Sequence, residues 1–436
     1  MISRKWILCG AAGLALAGSL WALQGHDDNP DFPAIPPDHD AIQYFGPAAD
    51  PVARLEKRLE KGEVKLEYQP RLGYLQSVLK NLGVNADSQL LVFSKTSSQN
   101  DRISPATPRA LYFSDDVSVG YVQDGRFLEL AALDPKQGVV FYALDAQKTA
   151  TPSFTRQDMA CIICHMSPAT LNIPGLMVST VFPTDSQSPY GRAGSYVTDH
   201  RTALEDRWGG WYVTGTHGAM HHRGNRSVDR MGPAFGADPA QSQNLTSLKN
   251  YFDTSAYLSP TSDIVALMTL EHQTHLSNLL TRIGWETRVA VAEDDMKEFG
   301  PRLDAVVDEL VSYMLFADEA PIKEPIQGVS TFTKTFAELG PRDKQGRSLR
   351  EFDLRKRLFR YPLSYMVYSA AFDSIPDTAR ERIYRKLYDA LTGKDSSQEF
   401  TRLSAEDRRA VLEILRDTKK GLPDYWKNPQ PTAAVK

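Results

Sequence analysis

Four short apolar runs decide the fold, beginning with Ala110-Leu111-Tyr112-Phe113. Three more follow at residues 117–122 (VSVGYV), 127–132 (FLELAA) and 138–144 (GVVFYAL), and all are rich in β-branched and aromatic residues. Asp124-Gly125, between the second and third runs, is typical of a tight hairpin turn. The pattern predicts a small antiparallel sheet in this part of the chain.

Helical patterns flank the predicted sheet. Asp50 followed by Pro51 predicts the N-cap and first residue of a helix that reaches about residue 60, and apolar spacing predicts a second helix at 72–82. Beyond about residue 255 the chain is mainly helical in pattern, with predicted helices at 263–283, from Pro301 onward, at 354–372 with a kink at Pro362, at 377–391 and at 404–420. The predicted fold class is α+β, a small antiparallel sheet followed by a mainly α-helical C-terminal half.

The first 23 residues have the layout of an export signal. Arg4 and Lys5 precede an uncharged, mostly apolar run at residues 6–23, in which Ala15-Leu16-Ala17 is a cleavage-site pattern. Left uncut, the run is just long enough to span a bilayer and would leave the body outside the cytoplasm. We expect a signal peptide or an inner-membrane anchor at 1–23, and a periplasmic body.

Composition divides the remaining chain. Residues 24–49 contain five prolines and several aspartates, which predicts an extended tether. The body then consists of an α/β part at 50–250 and an α-helical part at 251–436. A formal net charge of −4, with 24% charged residues, argues against a nucleic-acid partner.

Cys161-Ile162-Ile163-Cys164-His165 is the motif that carries chemistry. C-x-x-C-H is the signature of covalent c-type haem attachment, in which two thiols about one helical turn apart bond the vinyl groups and the histidine binds the iron. The chain has three cysteines, and the third, Cys9, lies in the N-terminal apolar run. The sequence therefore predicts one covalently bound haem c, with His165 as its proximal ligand.

Two other interpretations of the motif stay open. A C-x-x-C dithiol redox site is expected at the start of a helix near a βαβ pattern, whereas this pair follows a loop-like run at residues 146–152. A structural zinc site needs four nitrogen or sulfur ligands, and no cysteine follows Cys164. Haem attachment is the favoured hypothesis.

The surroundings of the motif resemble the start of a small class I cytochrome c. Phe154 lies upstream, and Pro174-Gly175-Leu176 follows nine to eleven residues after His165. The resemblance implies loops that bind haem and a Pro174 carbonyl that orients the His165 imidazole. It covers about 25 residues.

Most of the chain is similar to a group of uncharacterised bacterial exported proteins with a single cytochrome c motif. The stretches that carry this resemblance are residues 109–116 (RALYFSDD), 206–218 (DRWGGWYVTGTHG) and 270–273 (LEHQ). The group implies export and one haem, but no established activity.

The second axial ligand of the iron has four candidates. Met220 lies at a suitable separation from the motif for a methionine ligand, and His217 and His222 share its glycine-rich loop. His272 lies on an otherwise apolar helical stripe, where a hydrogen-bonded core histidine is the alternative interpretation. An open sixth position is the remaining possibility.

The axial ligand separates three functional hypotheses. A sixth protein ligand indicates an electron-transfer protein with a redox partner of unknown identity, which is the favoured function. An open position beside a proton acceptor and a cation indicates a haem enzyme of peroxidase or oxygenase type, with Glu271 and His275 as a base. The third hypothesis is a haem-based redox sensor or scaffold. Whether the chain is an enzyme stays undecided at this stage.

Two further groups have a structural and a functional interpretation. The aromatic residues of the 206–218 stretch fit core packing better than a wall around the haem, and these are Trp208, Trp211 and Tyr212. Three arginines after the histidine loop fit a solvated loop better than propionate partners, and these are Arg223, Arg226 and Arg230.

Overall fold

A computed structural model of the protein describes residues 33–181, 195–226 and 242–427. The strands are β1 (Leu90–Val92), β2 (Arg109–Phe113), β3 (Val117–Tyr121), β4 (Phe127–Asp134), β5 (Gly138–Asp145), β6 (Phe154–Arg156), β7 (Val178–Val181), β8 (Ser195–Thr198) and β9 (Trp211–Tyr212). The helices are α1 (Pro51–Glu60), α2 (Leu75–Leu82), α3 (Asp158–His165), α4 (Ile264–Ala292), α5 (Met296–Met314), α6 (Phe332–Glu338), α7 (Ala370–Asp373), α8 (Asp377–Thr392) and α9 (Ala405–Thr418). The predicted export segment lies outside the described residues.

Seven strands form one antiparallel sheet in the order β6-β5-β4-β3-β2-β1-β9, and β7 and β8 form a separate hairpin. The α+β prediction is confirmed. The sheet is larger than predicted because its two edge strands, β6 and β9, contain only three and two residues, too few to show a periodic pattern.

The start of α1 is held to the sheet as well as capped. Asp50 Oδ1 accepts hydrogen bonds from the amides of Val52, at 2.7 Å, and Ala53, at 3.0 Å. Its second oxygen accepts from the Tyr142 hydroxyl on β5 at 2.6 Å. The predicted N-cap is confirmed, and the same carboxylate joins the helix to the sheet.

Residues 33–49 belong to the folded body, so the predicted tether is wrong for this stretch. Ile35, Ile42 and Tyr44 are buried. The Tyr44 hydroxyl donates to the Val139 carbonyl of β5 at 2.9 Å. The prediction of an exposed segment rested on proline and aspartate content alone. It did not take account of these three apolar side chains, which pack against the folded body. Residues 24–32 lie outside the described chain.

Helix α4 joins the two parts of the protein. Asp263 caps it, as predicted, but the helix continues to Ala292 rather than ending near residue 283. Most of its side chains are buried, because it packs on β5 and β7 on one side and on α5 and α8 on another. One continuous cluster of buried apolar residues therefore includes side chains from both the sheet and the helical half.

Two helix predictions in the C-terminal half were wrong. Pro301 does not open a helix, because α5 begins at Met296 and includes the proline in its second turn. Residues 354–372 form no long helix. Leu354 has a left-handed backbone (φ 57°) and Pro362 cannot donate to a helical ladder, so the apolar residues are buried in turns and short helices instead.

Candidate haem-attachment site

Helix α3 begins at a fixed point beside the sheet. Arg156, the last residue of β6, lies 2.6 Å from the Asp158 carboxylate in the first turn of the helix. The same guanidinium donates to the carbonyl oxygens of Gly46, at 2.7 Å, and of Tyr44. The N-terminal stretch 33–49 therefore positions the helix that carries the motif.

The two cysteines are free thiols on one helical turn. Cys161 is half-buried and Cys164 is exposed. Burial raises the pKa of the Cys161 thiol to about 11, and the nearby Glu129 carboxylate acts in the same direction. A redox-active dithiol needs a lowered thiol pKa at a helix N-terminus. Cys161 is instead the fourth residue of α3, so the geometry disfavours the dithiol interpretation.

The imidazole of His165 is oriented by the backbone. Its Nδ1 lies 3.0 Å from the Gly175 carbonyl oxygen, and the Gly175 amide donates to the His165 carbonyl at 2.9 Å. Its ring lies against Phe141 of β5, with centroids 4.8 Å apart. With Nδ1 donating to a carbonyl, Nε2 carries the lone pair. The ring is therefore in the tautomer that a metal ligand requires.

The orienting carbonyl belongs to Gly175 and not to Pro174, so that predicted role was assigned one residue too early. The Pro174 carbonyl accepts a hydrogen bond from the Val139 amide at 3.0 Å and joins the loop to β5. Asn278 on α4 holds the next residue, since its side chain accepts from the Leu176 amide at 3.2 Å and donates to the Leu176 carbonyl at 2.8 Å.

A half-open face of the sheet lies beside the motif. Leu111, Gly120, Glu129 and Ala143 are register partners across β2 to β5, and Phe141 shares their face by the two-residue period of a strand. Gly120 and Phe141 are buried, and the other three residues, Leu111, Glu129 and Ala143, are half-buried. The face is therefore neither a packed core nor an ordinary solvated surface.

An ion pair crosses this face. Arg109 Nη1 lies 2.9 Å from Glu129 Oε2, and Glu129 also accepts from Gln99 at 3.0 Å and from the Ser97 hydroxyl. Burial opposes ionisation, but Arg109 and these hydrogen bonds hold the pKa of Glu129 below its usual value. This pair was not identified from the sequence. The two residues are 20 positions apart, on β2 and β4, and no local pattern shows that their side chains meet across β3.

The predicted histidine and methionine ligands have contacts elsewhere. His217 and His222 are buried, with ring centroids 5.0 Å apart, and His222 packs against Trp208 at 5.6 Å. Met220 lines a small cavity together with His200. Within the described ranges, these three candidates make no hydrogen bond or ring contact with α3.

His272 is a hydrogen-bonded core histidine. Its Nδ1 lies 2.8 Å from Nδ1 of His200 and its Nε2 lies 2.7 Å from the Ser364 hydroxyl. Its ring stacks on Phe316 with centroids 4.4 Å apart. Neither ring nitrogen is free for iron in this arrangement, so the core interpretation fits better than the ligand interpretation.

Glu271 and His275 do not act as one pair. Glu271 accepts from Arg207 at 3.1 Å and from the Thr198 hydroxyl at 2.7 Å. His275 instead lies 3.2 Å from Nη2 of Arg201. The two side chains thus belong to different ion-pair networks, and the structure does not bring them together as a base for haem chemistry.

The remaining predicted groups are also placed. The three aromatic residues are buried in the core, as expected for Trp208, Trp211 and Tyr212. Arg223 lies 2.6 Å from Asp206, and Arg226 donates to the Ser242 hydroxyl at 3.2 Å. Arg230 lies outside the described residues.

No protein family matches the chain, and no curated protein or solved structure is significantly similar to it. The resemblance to exported cytochrome-like proteins therefore stays a prediction. Within residues 33–181, 195–226 and 242–427, no three His, Cys, Asp or Glu side chains converge as a metal-binding group. No helix in those ranges is both long and apolar enough to cross a membrane.

Proposed function

We propose that this protein is an exported single-haem c-type cytochrome that transfers electrons, with haem held by Cys161, Cys164 and His165. The observation that supports this best is the hydrogen bond between His165 Nδ1 and the Gly175 carbonyl. Histidines that bind a metal through Nε2 donate their other N–H to a carbonyl or carboxylate. Here that bond lies one helical turn from two free thiols.

In the proposal, the half-open face of the sheet is the second wall of the haem site. Small and apolar residues, Gly120, Ala143 and Leu111, leave room on this face beside the His165 ring. The bound haem supplies one-electron chemistry. The chain supplies two covalent links, an oriented imidazole and a face that excludes water from one side.

A second candidate, a haem enzyme, is supported by the Arg109–Glu129 pair. In the described chain, none of the four predicted axial ligands makes a hydrogen bond or ring contact with α3, whereas a cation and a carboxylate lie on the adjacent sheet face. Such a pair beside an open iron position is the arrangement that peroxide or oxygen chemistry requires. Spin state separates the two candidates.

The test compares the wild type with a Cys161→Ala/Cys164→Ala variant. We expect the wild type to retain haem on a denaturing gel and the double variant to lose it. Cys9→Ala is the matched control, because it removes the third cysteine without touching the motif. Haem that acidified organic solvent extracts from the wild type would contradict covalent attachment.

An absorption spectrum of the same wild-type protein then tests electron transfer. A low-spin ferric spectrum is expected, because a second strong-field ligand holds the iron in an electron carrier. A high-spin spectrum with rapid cyanide binding would replace the electron-transfer proposal by the enzyme candidate. In that case Arg109→Leu should slow the reaction with peroxide.

A further inference from the structure

A buried histidine outside the haem site lacks a partner on one nitrogen. His200 is 1% exposed and follows β8, between β8 and the core. Its Nε2 is buried and makes no hydrogen bond within the described chain. An unpaired buried nitrogen is destabilising, so an occupant that satisfies it is favoured.

The opposite side of the ring fixes its orientation. His200 Nδ1 lies 2.8 Å from His272 Nδ1, and His272 Nε2 lies 2.7 Å from the Ser364 hydroxyl, which also accepts from the Met366 amide. If each ring donates outward along this chain, His200 donates through Nδ1 and Nε2 keeps its lone pair. This is the tautomer of a histidine that binds a metal through Nε2.

His200 lines a small cavity of about 20 Å³. A space of roughly 10–15 Å³ holds one water-sized species, so the cavity has room for a single ion or water. Two thioether side chains share the lining, Met268, which is 3% exposed, and Met220, which is half-buried. The three side chains come from β8's loop, the histidine loop and α4, which are well separated in sequence.

A cation and an acidic side chain both line the cavity. Arg207 lines it, but its guanidinium is engaged by Glu271 at 3.1 Å and by the carbonyl oxygens of His200 and Thr202. Glu319 also lines the cavity, where one oxygen accepts from the Leu358 amide at 2.7 Å. Burial raises the pKa of Glu319 to about 7, although Arg207 and Arg357 act in the opposite direction, and a single positive charge in this space would favour its ionised form.

We infer that this cavity binds one copper(I) ion through His200 Nε2 and the thioethers of Met220 and Met268. Thioether sulfur is a soft ligand that selects Cu(I) over zinc, magnesium or calcium, which prefer nitrogen, oxygen or thiolate. Low coordination suits a site too small for additional water. The site is separate from the haem-attachment motif, and the inference does not depend on the proposed function.

The test titrates full-length protein anaerobically with Cu(I), with bathocuproine disulfonate as a competing chelator. Cysteine thiols would also bind Cu(I), so Cys9→Ala is introduced first, and this protein is used with haem attached or with Cys161→Ala/Cys164→Ala added. Either form isolates the cavity. The haem proposal and the copper inference can therefore fail separately.

We expect one tightly bound Cu(I) per chain, with X-ray absorption showing both sulfur and nitrogen neighbours. Met268→Leu conserves volume and should weaken Cu(I) binding at least tenfold, as should Met220→Leu. Met314→Leu is the matched control, because Met314 is fully buried and does not line the cavity. Control and wild type should bind alike.

Thermal unfolding guards against a variant that merely fails to fold. Cu(I) should raise the Tm of the wild type and of Met314→Leu, but not that of Met268→Leu. The inference is overturned if the protein without its three cysteines binds no Cu(I), or if Met268→Leu and Met220→Leu both bind it as tightly as the wild type does.

Discussion

Gly175 combines three tasks at a single residue. Its carbonyl orients His165, its amide bonds the His165 backbone, and its missing side chain admits Asn278 of α4. A Cβ at this position would overlap the Asn278 side-chain oxygen, so only glycine fits while that asparagine holds Leu176. The position of the imidazole thus depends on a helix about 100 residues further along the chain.

Gly175→Ala should therefore displace the loop or Asn278. We expect a loss of about 1–3 kcal/mol in the free energy of unfolding, the usual cost of overpacking, measured by urea denaturation. Gly300→Ala is the matched control, because it lies in α5, where a Cβ meets no atom closer than 3.7 Å and alanine favours the helix. Equal stability of the two variants would show that α4 does not clamp the loop.

At the residue scale, the sequence predicts features that depend on spacing along the chain. Cys161, Cys164 and His165 are identified as candidate haem-binding residues from their spacing alone. The orienting carbonyl was placed at Pro174 instead of Gly175 because its direction depends on the path of the loop, which Asn278 determines. The partners of His272 likewise lie outside any local pattern.

At the scale of elements, the stretch 33–49 braces α3 through Arg156 and packs on the sheet. Tyr44→Ala should cost about 3–5 kcal/mol of unfolding free energy, because a fully buried aromatic ring and its bond to Val139 are lost. Phe45→Ala, at a neighbour that is 41% exposed, should cost less than about 1 kcal/mol. Chemical denaturation measures both, and similar losses would contradict a specific role for Tyr44.

Helices were predicted well where particular residues mark the point at which they begin or end. Helices α1, α8 and α9 were predicted with nearly correct bounds because capping residues mark them, including Gly393 in a left-handed conformation after α8. Residues 354–372 also have apolar spacing and a cap at Asp353, but Pro362 interrupts them, and tertiary packing of their aromatic side chains prevailed over the helical pattern.

Stability of the whole molecule should depend on pH through its buried histidines. Burial lowers the pKa of His275 to about 4, although Asp199 nearby opposes this. The unfolded chain takes up this proton near pH 6.5, so stability present above that pH is lost as the pH falls toward 4. At about 1.4 kcal/mol per unit, His275 accounts for up to about 3 kcal/mol.

His275→Gln should therefore flatten the decline in unfolding free energy between pH 6.5 and pH 4. Urea denaturation at half-unit pH steps measures the slope for the wild type and the variant. His221→Gln is the control, because His221 is exposed, and it should reproduce the wild-type slope. A His275→Gln slope as steep as that of the wild type would show that the residue takes up its proton without unfolding.

The two edge strands of the sheet are synthesised at different times, one before helix α3 and one after it. β6 ends just before the motif, and β9 joins the opposite edge only after the chain has passed through α3 and the β7–β8 hairpin. In the folded protein Cys161 is half-buried. Under the proposed function, haem attachment is therefore expected while the newly made chain is still partly unfolded and both thiols are accessible.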